Sequence, residues 1–343
     1  MDSSPDREGR LLMRRREAAL ARQEQREENL LFETDYLLGV YDEHRMGALR
    51  FKIEGNGTFL NDNRDMAAPP FTSLRELEQA SLRLEQDKST NDPEYLKLLN
   101  MLMAPGSSLG GARPKASVLD PNQQLWIAKF PSKFDDRNMG AWEIVAHDLA
   151  KQASINVSDA FVEKFGRRHH IFITKRFDRI GKQRIHFASA MTLLGYTDGV
   201  DYQEGVSYLK LAEFIMQNGV NIEHDLEELW RRIVFSICVS NTDDHLRNHG
   251  FLLTPKGWEL SPAFDINPNE NGTGLKLNIS ENDNALDVDL AIEFAPYFRI
   301  KHDKAKYIIE EIKKVTSTWK NLATKYKISK SEQELMSRAF IKT

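Results

Sequence analysis

Along residues 224–240, HDLEELWRRIVFSICVS, apolar side chains fall at Leu226, Leu229, Trp230, Ile233, Val234 and Ile237. That i, i+3, i+4 stripe predicts a buried helix. The same period places helices over 141–154 (AWEIVAHDLAKQAS) and over 208–219 (YLKLAEFIMQNG), the second stopping at Asn-Gly. It also predicts one long helix near 303–326, with Ala305, Ile308, Ile309, Ile312, Val315, Trp319 and Leu322 on one side. Ser329 and Glu332 then have the spacing of a capping box and begin a short last helix. Residues 73–87 and 92–103 read as two further helices. The stretch 7–31, rich in Arg, Glu, Ala, Leu and Gln, reads as a solvated helix docked by Leu11, Leu12 and its alanines.

Other stretches read as strands between turn residues. ASVL and LWIAKF flank the turn composition DPNQ, so 116–130 reads as a β-hairpin. AFVEKF, GRRHH and IFITKRF (160–177) make a strand–turn–strand unit, and GFLL, TPKG and WEL a second hairpin after residue 249. A Gly- and Ser-rich loop, APGSSLGGARPK (104–115), precedes the first hairpin. The chain therefore reads as α+β and two-lobed, with a mixed α/β lobe over 1–177 and a mainly helical lobe over 178–343. A cleft between two such lobes is the expected place for a ligand.

Composition narrows the function classes. The chain has 343 residues, 41% hydrophobic and 29% charged, long enough for two real cores. A formal charge of -4 gives no whole-surface attraction to nucleic acid. Cys238 is the sole cysteine, so no disulfide forms within the chain, and a lone thiol in an apolar stripe reads as a small core residue. No apolar run has the length of a membrane span, and the N-terminal stretch lacks the apolar segment of a secretory signal. A cytoplasmic protein is expected.

Between the buried helix and the second hairpin lies SNTDDHLRNHGFLL (240–253). Asp243 is followed five residues later by Asn248, and the hairpin leads on to SPAFD, which carries Asp265. Phosphoryl transfer from ATP needs these parts: one carboxylate to take the proton of the attacking hydroxyl, and an amide and a second carboxylate to hold Mg²⁺. The Asp-x₄-Asn loop, hairpin and further Asp form the arrangement of protein kinases. Upstream, Lys129 in LWIAKF is either a phosphate-binding lysine or an edge-strand lysine facing water. Gly106, Gly110 and Gly111 permit backbone N–H groups to approach phosphate, or simply make a flexible loop. A competing reading takes His245 and His249, four apart, as metal ligands of a hydrolase, but no Glu lies between them and Gly250 favours a loop. Two more remain open: a small-molecule phosphotransferase and a nucleotide-binding regulator without catalysis.

TDYLLGVYDEHRMGALRF (34–51), SSLGGARPKASV (107–118), IAKFP (127–131), KRFDR (175–179), NTDDHLRNHGF (241–251) and LSPAFDINP (260–268) together resemble the HipA-type serine/threonine kinases of bacterial toxin–antitoxin systems. The resemblance implies a two-lobed protein-kinase-like fold that transfers phosphate from ATP to a protein. It makes Asp243 the catalytic base and Asn248 and Asp265 the Mg²⁺ ligands. Lys129 contacts the ATP phosphates, and the backbone of Lys175, Arg176 and Phe177 is the adenine hinge. His245, Leu246, Arg247, Asn248 and Phe264 complete the nucleotide site. Gly110, Gly111, Ala112, Arg113, Pro114 and Lys115 form the phosphate-facing loop, and Ser108 or Ser107 is the site of inhibitory autophosphorylation. The family's protein substrates include aminoacyl-tRNA synthetases. Its members are held inactive by a small DNA-binding antitoxin, so DNA is met only through that partner, and no membrane is involved. Longer members carry a small subdomain before the segment resembling residues 3–23; here a separate polypeptide is expected to supply it, or it is dispensable.

Overall fold

The computed structural model describes residues 2–86, 96–97, 99–100, 102, 113–166 and 169–340. They divide into two compact units, Met1–Gly140 with Asp159–Phe187, and Ala141–Ser158 with Ala188–Thr343. The expected single boundary at 177 is thus replaced by units that interleave in sequence. Residues 141–158 join the second unit because Trp142, Val145 and Leu149 pack into its core rather than against the sheet of the first.

In the first unit, α1 (Arg7–Gln23) starts where the Asp6 side chain accepts from Gly9 N–H at 2.8 Å. It is shorter than the charge pattern predicts. Gln25 takes φ 53, and Arg26 folds back to pair with Glu17 at 2.6 Å, ending the helix. α2 (Glu33–Gly39) and α3 (Leu74–Gln86) follow. The helix expected over 92–103 falls largely outside the described residues. β1 (Lys115–Leu119) and β2 (Leu125–Lys129) form the expected hairpin, with Lys115 opposite Lys129. Asp120 builds its turn by accepting from Asn122 and Gln124 N–H, both at 2.8 Å. β3 (Ala160–Glu163) and β4 (Ile171–Lys175) complete an antiparallel sheet of order β1-β2-β4-β3. Met66, Leu77, Val118, Phe130 and Ile173 fill the core beneath it. A small hairpin follows, β5 (Arg179–Ile180) and β6 (Gln183–Arg184).

In the second unit, helix α4 (Met139–Gln152) contributes its residues from Ala141 onward. β7 (His186–Ser189) lies beside the hairpin of β8 (Gly250–Thr254) and β9 (Gly257–Leu260) in a sheet of order β7-β8-β9. The short α5 (Ala190–Leu193) leads to α6 (Tyr208–Asn218) and α7 (Ile222–Val239), close to the predicted bounds. α7 is the axis of the core: Leu226, Leu229, Ile233, Val234 and Ile237 are fully buried. Burial pushes the Cys238 thiol up to about 12, so it behaves as an inert core residue. α8 (Val288–Phe294) precedes a correction. The long helix expected over 303–326 is two helices, α9 (His302–Thr316) and α10 (Trp319–Lys325). Thr316 and Thr318 hydroxyls donate back to the carbonyls of Ile312 and Val315, at 2.9 and 2.7 Å, and such bonds compete with the helix ladder. The break seats Trp319 stacked on Phe340 at 4.5 Å and 5.9 Å from Trp142. α11 (Lys330–Met336) starts at Ser329, whose hydroxyl accepts from Glu332 N–H at 3.2 Å. The Glu332 carboxylate accepts from the Trp142 indole at 2.9 Å.

Ile233→Ala should destabilise the second unit by about 2–5 kcal/mol, the cost of a buried cavity. Tyr307→Ala, at a side chain 70% exposed, should change it by less than about 0.5 kcal/mol. Tryptophan fluorescence during urea unfolding reads this, since Trp142, Trp230, Trp258 and Trp319 all lie in that unit.

Candidate active site

The site in the second unit begins where α7 ends. Ser240 takes the left-handed conformation, φ 50, its N–H bonds the carbonyls of the last helical turn, and its hydroxyl donates to Ala339 O at 2.7 Å. The chain leaves the helix here and enters the loop 241–249. Asn241 is buried and donates to the Ser236 hydroxyl at 3.3 Å. The Asp243 carbonyl then accepts two hydrogen bonds, from His245 N–H at 3.0 Å and from the Asn248 side-chain amide at 2.9 Å. The backbone of Asp243 is pinned while its residue stays exposed, and its carboxylate has no partner among the described residues.

Asp244 behaves in the opposite way. It is buried, accepts from the Tyr208 hydroxyl at 2.7 Å, and lies 3.1 Å from His249 Nε2, a contact outside hydrogen-bond alignment. The Tyr208 and His249 rings meet edge to face at 5.6 Å. Burial by itself would raise the Asp244 carboxyl. The His249 ring and the Tyr208 hydroxyl outweigh it and hold the group below the usual carboxylate range. Burial and the Asp244 charge raise the Tyr208 phenol well above its ordinary value, so it remains a donor.

The segment carrying Asp265 is fastened to the same loop. Asn267 N–H donates to Asn241 Oδ1 at 3.1 Å, Asn269 N–H donates to Ser240 O at 3.1 Å, and the Asn269 side-chain amide donates to Thr242 Oγ1 at 2.8 Å. Polar residues inside the stripe of α7 hold the approach. Asp225 accepts from Leu260 N–H at 2.9 Å, and Arg232, paired with Glu228 at 2.7 Å, donates to Ser261 O at 2.7 Å. Ala263 N–H donates to Asn156 O at 2.7 Å. Asp265 sits at φ 58, a conformation that Asp adopts more readily than most residues, and accepts from the Asn267 amide at 3.2 Å.

Asn248 Oδ1 is buried and meets no hydrogen-bond donor. A buried carbonyl oxygen left without a donor is costly, and a hard cation is one partner that would satisfy it. Asp265, on the segment fastened to this loop, is a second oxygen donor of the kind a hard cation takes. The two histidines do not pair on one helical face. Leu246–Asn248 is a single 3₁₀ turn, His249 is turned inward to Asp244, and His245 Nε2 lies 3.3 Å from Arg247 Nη2. Leu246 is buried, Arg247 pairs with Asp198 at 3.2 Å, and half-buried Phe264 helps line a cavity of about 10 Å³ beneath the loop, the size of one water.

The remaining expected positions lie in the first unit. Lys129 is buried on β2, its ammonium 5.7 Å from the centre of the Phe172 ring. Lys115 is buried on β1 and ion-paired with Asp6, and Arg113 is ion-paired with Asp135. Pro114 O accepts from Phe130 N–H at 2.8 Å. The N–H groups of Lys175 and Arg176 are bonded to Asp159 O and Leu125 O, at 2.8 and 3.0 Å. The Arg176 side chain is buried on Asp178, 2.7 Å away, and Phe177 packs 5.8 Å from Phe187. Ser107, Ser108, Gly110, Gly111 and Ala112 lie outside the described residues. Sequence reasoning passed over Tyr208, Asn241, Asn267 and the α7 trio Asp225, Glu228 and Arg232. Only the trio left a signal, two acids and a cation at i, i+3 and i+7 within an otherwise apolar stripe.

The profile of the HipA-like C-terminal domain matches residues 107–319. A Haemophilus influenzae protein that carries a kinase name is 27% identical over 179 residues, 47% of this chain and 52% of that protein. The serine/threonine-protein kinase toxin HipA of Shewanella oneidensis is 29% identical over 190 residues, 47% of this chain and 43% of that protein. The chain therefore matches about half the length of these curated relatives. A solved structure of HipA from Shewanella oneidensis MR-1, in complex with HipB and operator DNA, covers 94% of this chain and 79% of its own, with a TM-score of 0.64 and 18% identity. It shares the fold. Among the described residues no helix is long and apolar enough to cross a membrane.

Because Asp244 has its pKa depressed by folding, the stability it contributes is complete above the ordinary carboxylate range, about pH 4, and is lost as pH falls through its folded value. Tyr208→Phe removes a donor to the carboxylate and raises that value. The acid-unfolding midpoint should move to higher pH, and stability at neutral pH should fall by about 1–3 kcal/mol in urea titrations.

Proposed function

The chain belongs to the HipA-like C-terminal domain family, and on that premise we propose that it is an ATP- and Mg²⁺-dependent serine/threonine protein kinase. One observation carries the reading. The loop pins the Asp243 backbone through Asn248, leaves the Asp243 carboxylate exposed, and hydrogen-bonds the segment that bears Asp265. Asp243 accepts the proton of a serine or threonine hydroxyl on the protein substrate. The hydroxyl oxygen bonds to the γ-phosphorus of ATP as the β–γ bridging P–O bond breaks, and ADP leaves. Asn248 Oδ1 and the Asp265 carboxylate would hold Mg²⁺, which would supply positive charge to neutralise the phosphate oxygens.

Lys129 is assigned to the nucleotide phosphates, and the backbone at Lys175–Phe177 to adenine. The N–H groups of Lys175 and Arg176 are themselves bonded, to Asp159 O and Leu125 O. His245, Leu246, Arg247 and Phe264 belong with the nucleotide. Gly110–Lys115 forms the phosphate-facing loop, and Ser108, with Ser107 next to it, takes the autophosphorylation. A toxin role follows from the same kinship. The protein target is of the aminoacyl-tRNA synthetase class, and a small DNA-binding antitoxin restrains the enzyme, as the complex of the Shewanella HipA with HipB and DNA suggests.

Asp243→Gln should lower incorporation of labelled phosphate from ATP by about 10²–10⁴-fold and abolish any growth arrest on expression. Asn248→Ala should raise the Mg²⁺ concentration needed for half-maximal transfer in whatever activity remains. Ser108→Ala should remove the principal phosphopeptide seen by mass spectrometry, with Ser107 the fallback. Undiminished transfer in Asp243→Gln contradicts the assignment. ATP binding with no transfer by the wild-type chain would make it a nucleotide-binding regulator instead.

A further inference from the structure

The first unit contains a cavity of about 380 Å³ between the 43–50 segment, the β1–β2 turn and the β5–β6 hairpin. That volume lies within the usual range of small-molecule pockets. Arg50, Arg179, Lys182 and Arg184 line it, with Glu43 the acidic side chain among them. Leu119 and Leu125 form an apolar wall.

The cations outnumber their counterions. Asp42 pairs with both Arg50 and Arg184, at 2.5 and 2.9 Å. Asp178 pairs with both Arg176 and Arg179, at 2.7 and 2.6 Å. Each carboxylate carries one charge and serves two guanidiniums. Arg45, fully buried and close enough to feel Asp42 and Arg184, donates to the carbonyls of Ser3, Leu37, Val40 and Leu60. Lys182 is exposed and forms no ion pair among the described residues. Arg184 Nη1 is buried and donates to nothing. Burial and the neighbouring Arg176 push Arg179 down to about 10. Burial, opposed by Asp42 and reinforced by Arg50, lowers Arg184. Such crowding of like charge is relieved by an anion, and guanidinium forks match phosphate oxygens in geometry.

We propose that this cavity is a binding site for a small phosphate monoester, with the phosphate on Arg184, Arg50 and Lys182 and the organic group against Leu119 and Leu125. None of these residues belongs to the proposed base or metal ligands. The site stands whether or not the chain transfers phosphate.

Isothermal titration calorimetry of the full chain with phenyl phosphate tests it, with inorganic phosphate as the second arm. One-to-one binding of phenyl phosphate is expected, at least about threefold tighter than inorganic phosphate because of the apolar wall. Lys182→Glu and Arg184→Gln should each weaken it about tenfold or more, and Lys256→Glu, an exposed lysine of the second unit, should not. Lys182 is exposed and unpaired, so its reversal leaves the fold intact even if Arg184→Gln does not fold. The proposal is overturned by absence of binding at millimolar phenyl phosphate, by equal affinity for inorganic phosphate, by full affinity in Lys182→Glu, or by equal weakening in Lys256→Glu.

Discussion

One buried carboxylate sets the shape of the loop on which the proposed chemistry rests. Asp244 has left water, and its charge survives because Tyr208 donates to it and His249 lies against it. Breaking such an arrangement leaves an uncompensated buried charge, so the loop has strong reason to keep Asp244 inward. Its neighbour then stands at the surface. Two adjacent aspartates with opposite fates are the means by which a chain exposes one acid for chemistry while fixing its position with the other.

The same economy runs through α7. A helix whose apolar stripe fills the core also carries Asp225, Glu228 and Arg232 into that core, at 4, 7 and 4% exposure. Buried polar pairs of this kind contribute little net stability. Here they meet backbone groups: Leu260 N–H, Asn156 N–H and Ser261 O. They fix where the chain runs between the β8–β9 hairpin and Asp265, a stretch with few regular backbone partners of its own. Asp265 follows in the left-handed conformation, which Asp adopts more readily than most residues.

Much of this was legible in the sequence because it is periodic. The stripe of α7, the DPNQ turn and the second hairpin each state their structure in local residues, and six short stretches taken in order carried the resemblance. What was not legible is long-range. Nothing near Tyr208 says that its hydroxyl meets residue 244, and nothing near Asn267 says that it meets residue 241. The 303–326 periodicity continued across a break that hydroxyl back-bonding and Trp319 packing decide. Residues 141–158 looked like part of the first lobe, because chain order says nothing about which core an amphipathic face enters.

Asp178 is to the first unit what Asp244 is to the second: a fully enclosed carboxylate, here accepting from Gly47 N–H at 2.8 Å and holding two arginines. The difference is in the balance around each. Near Asp244 the partners are a phenol and an imidazole, and no guanidinium is paired with it. Around Asp178 and Asp42, guanidiniums exceed carboxylates and the surplus faces a cavity. A formal charge of -4 over the whole chain conceals this, because net charge sums over distances far beyond the Debye length. What an anion would feel is the local surplus within about 10 Å. A sequence that reads as mildly acidic can therefore hold a strongly basic site, provided that its arginines share their acids.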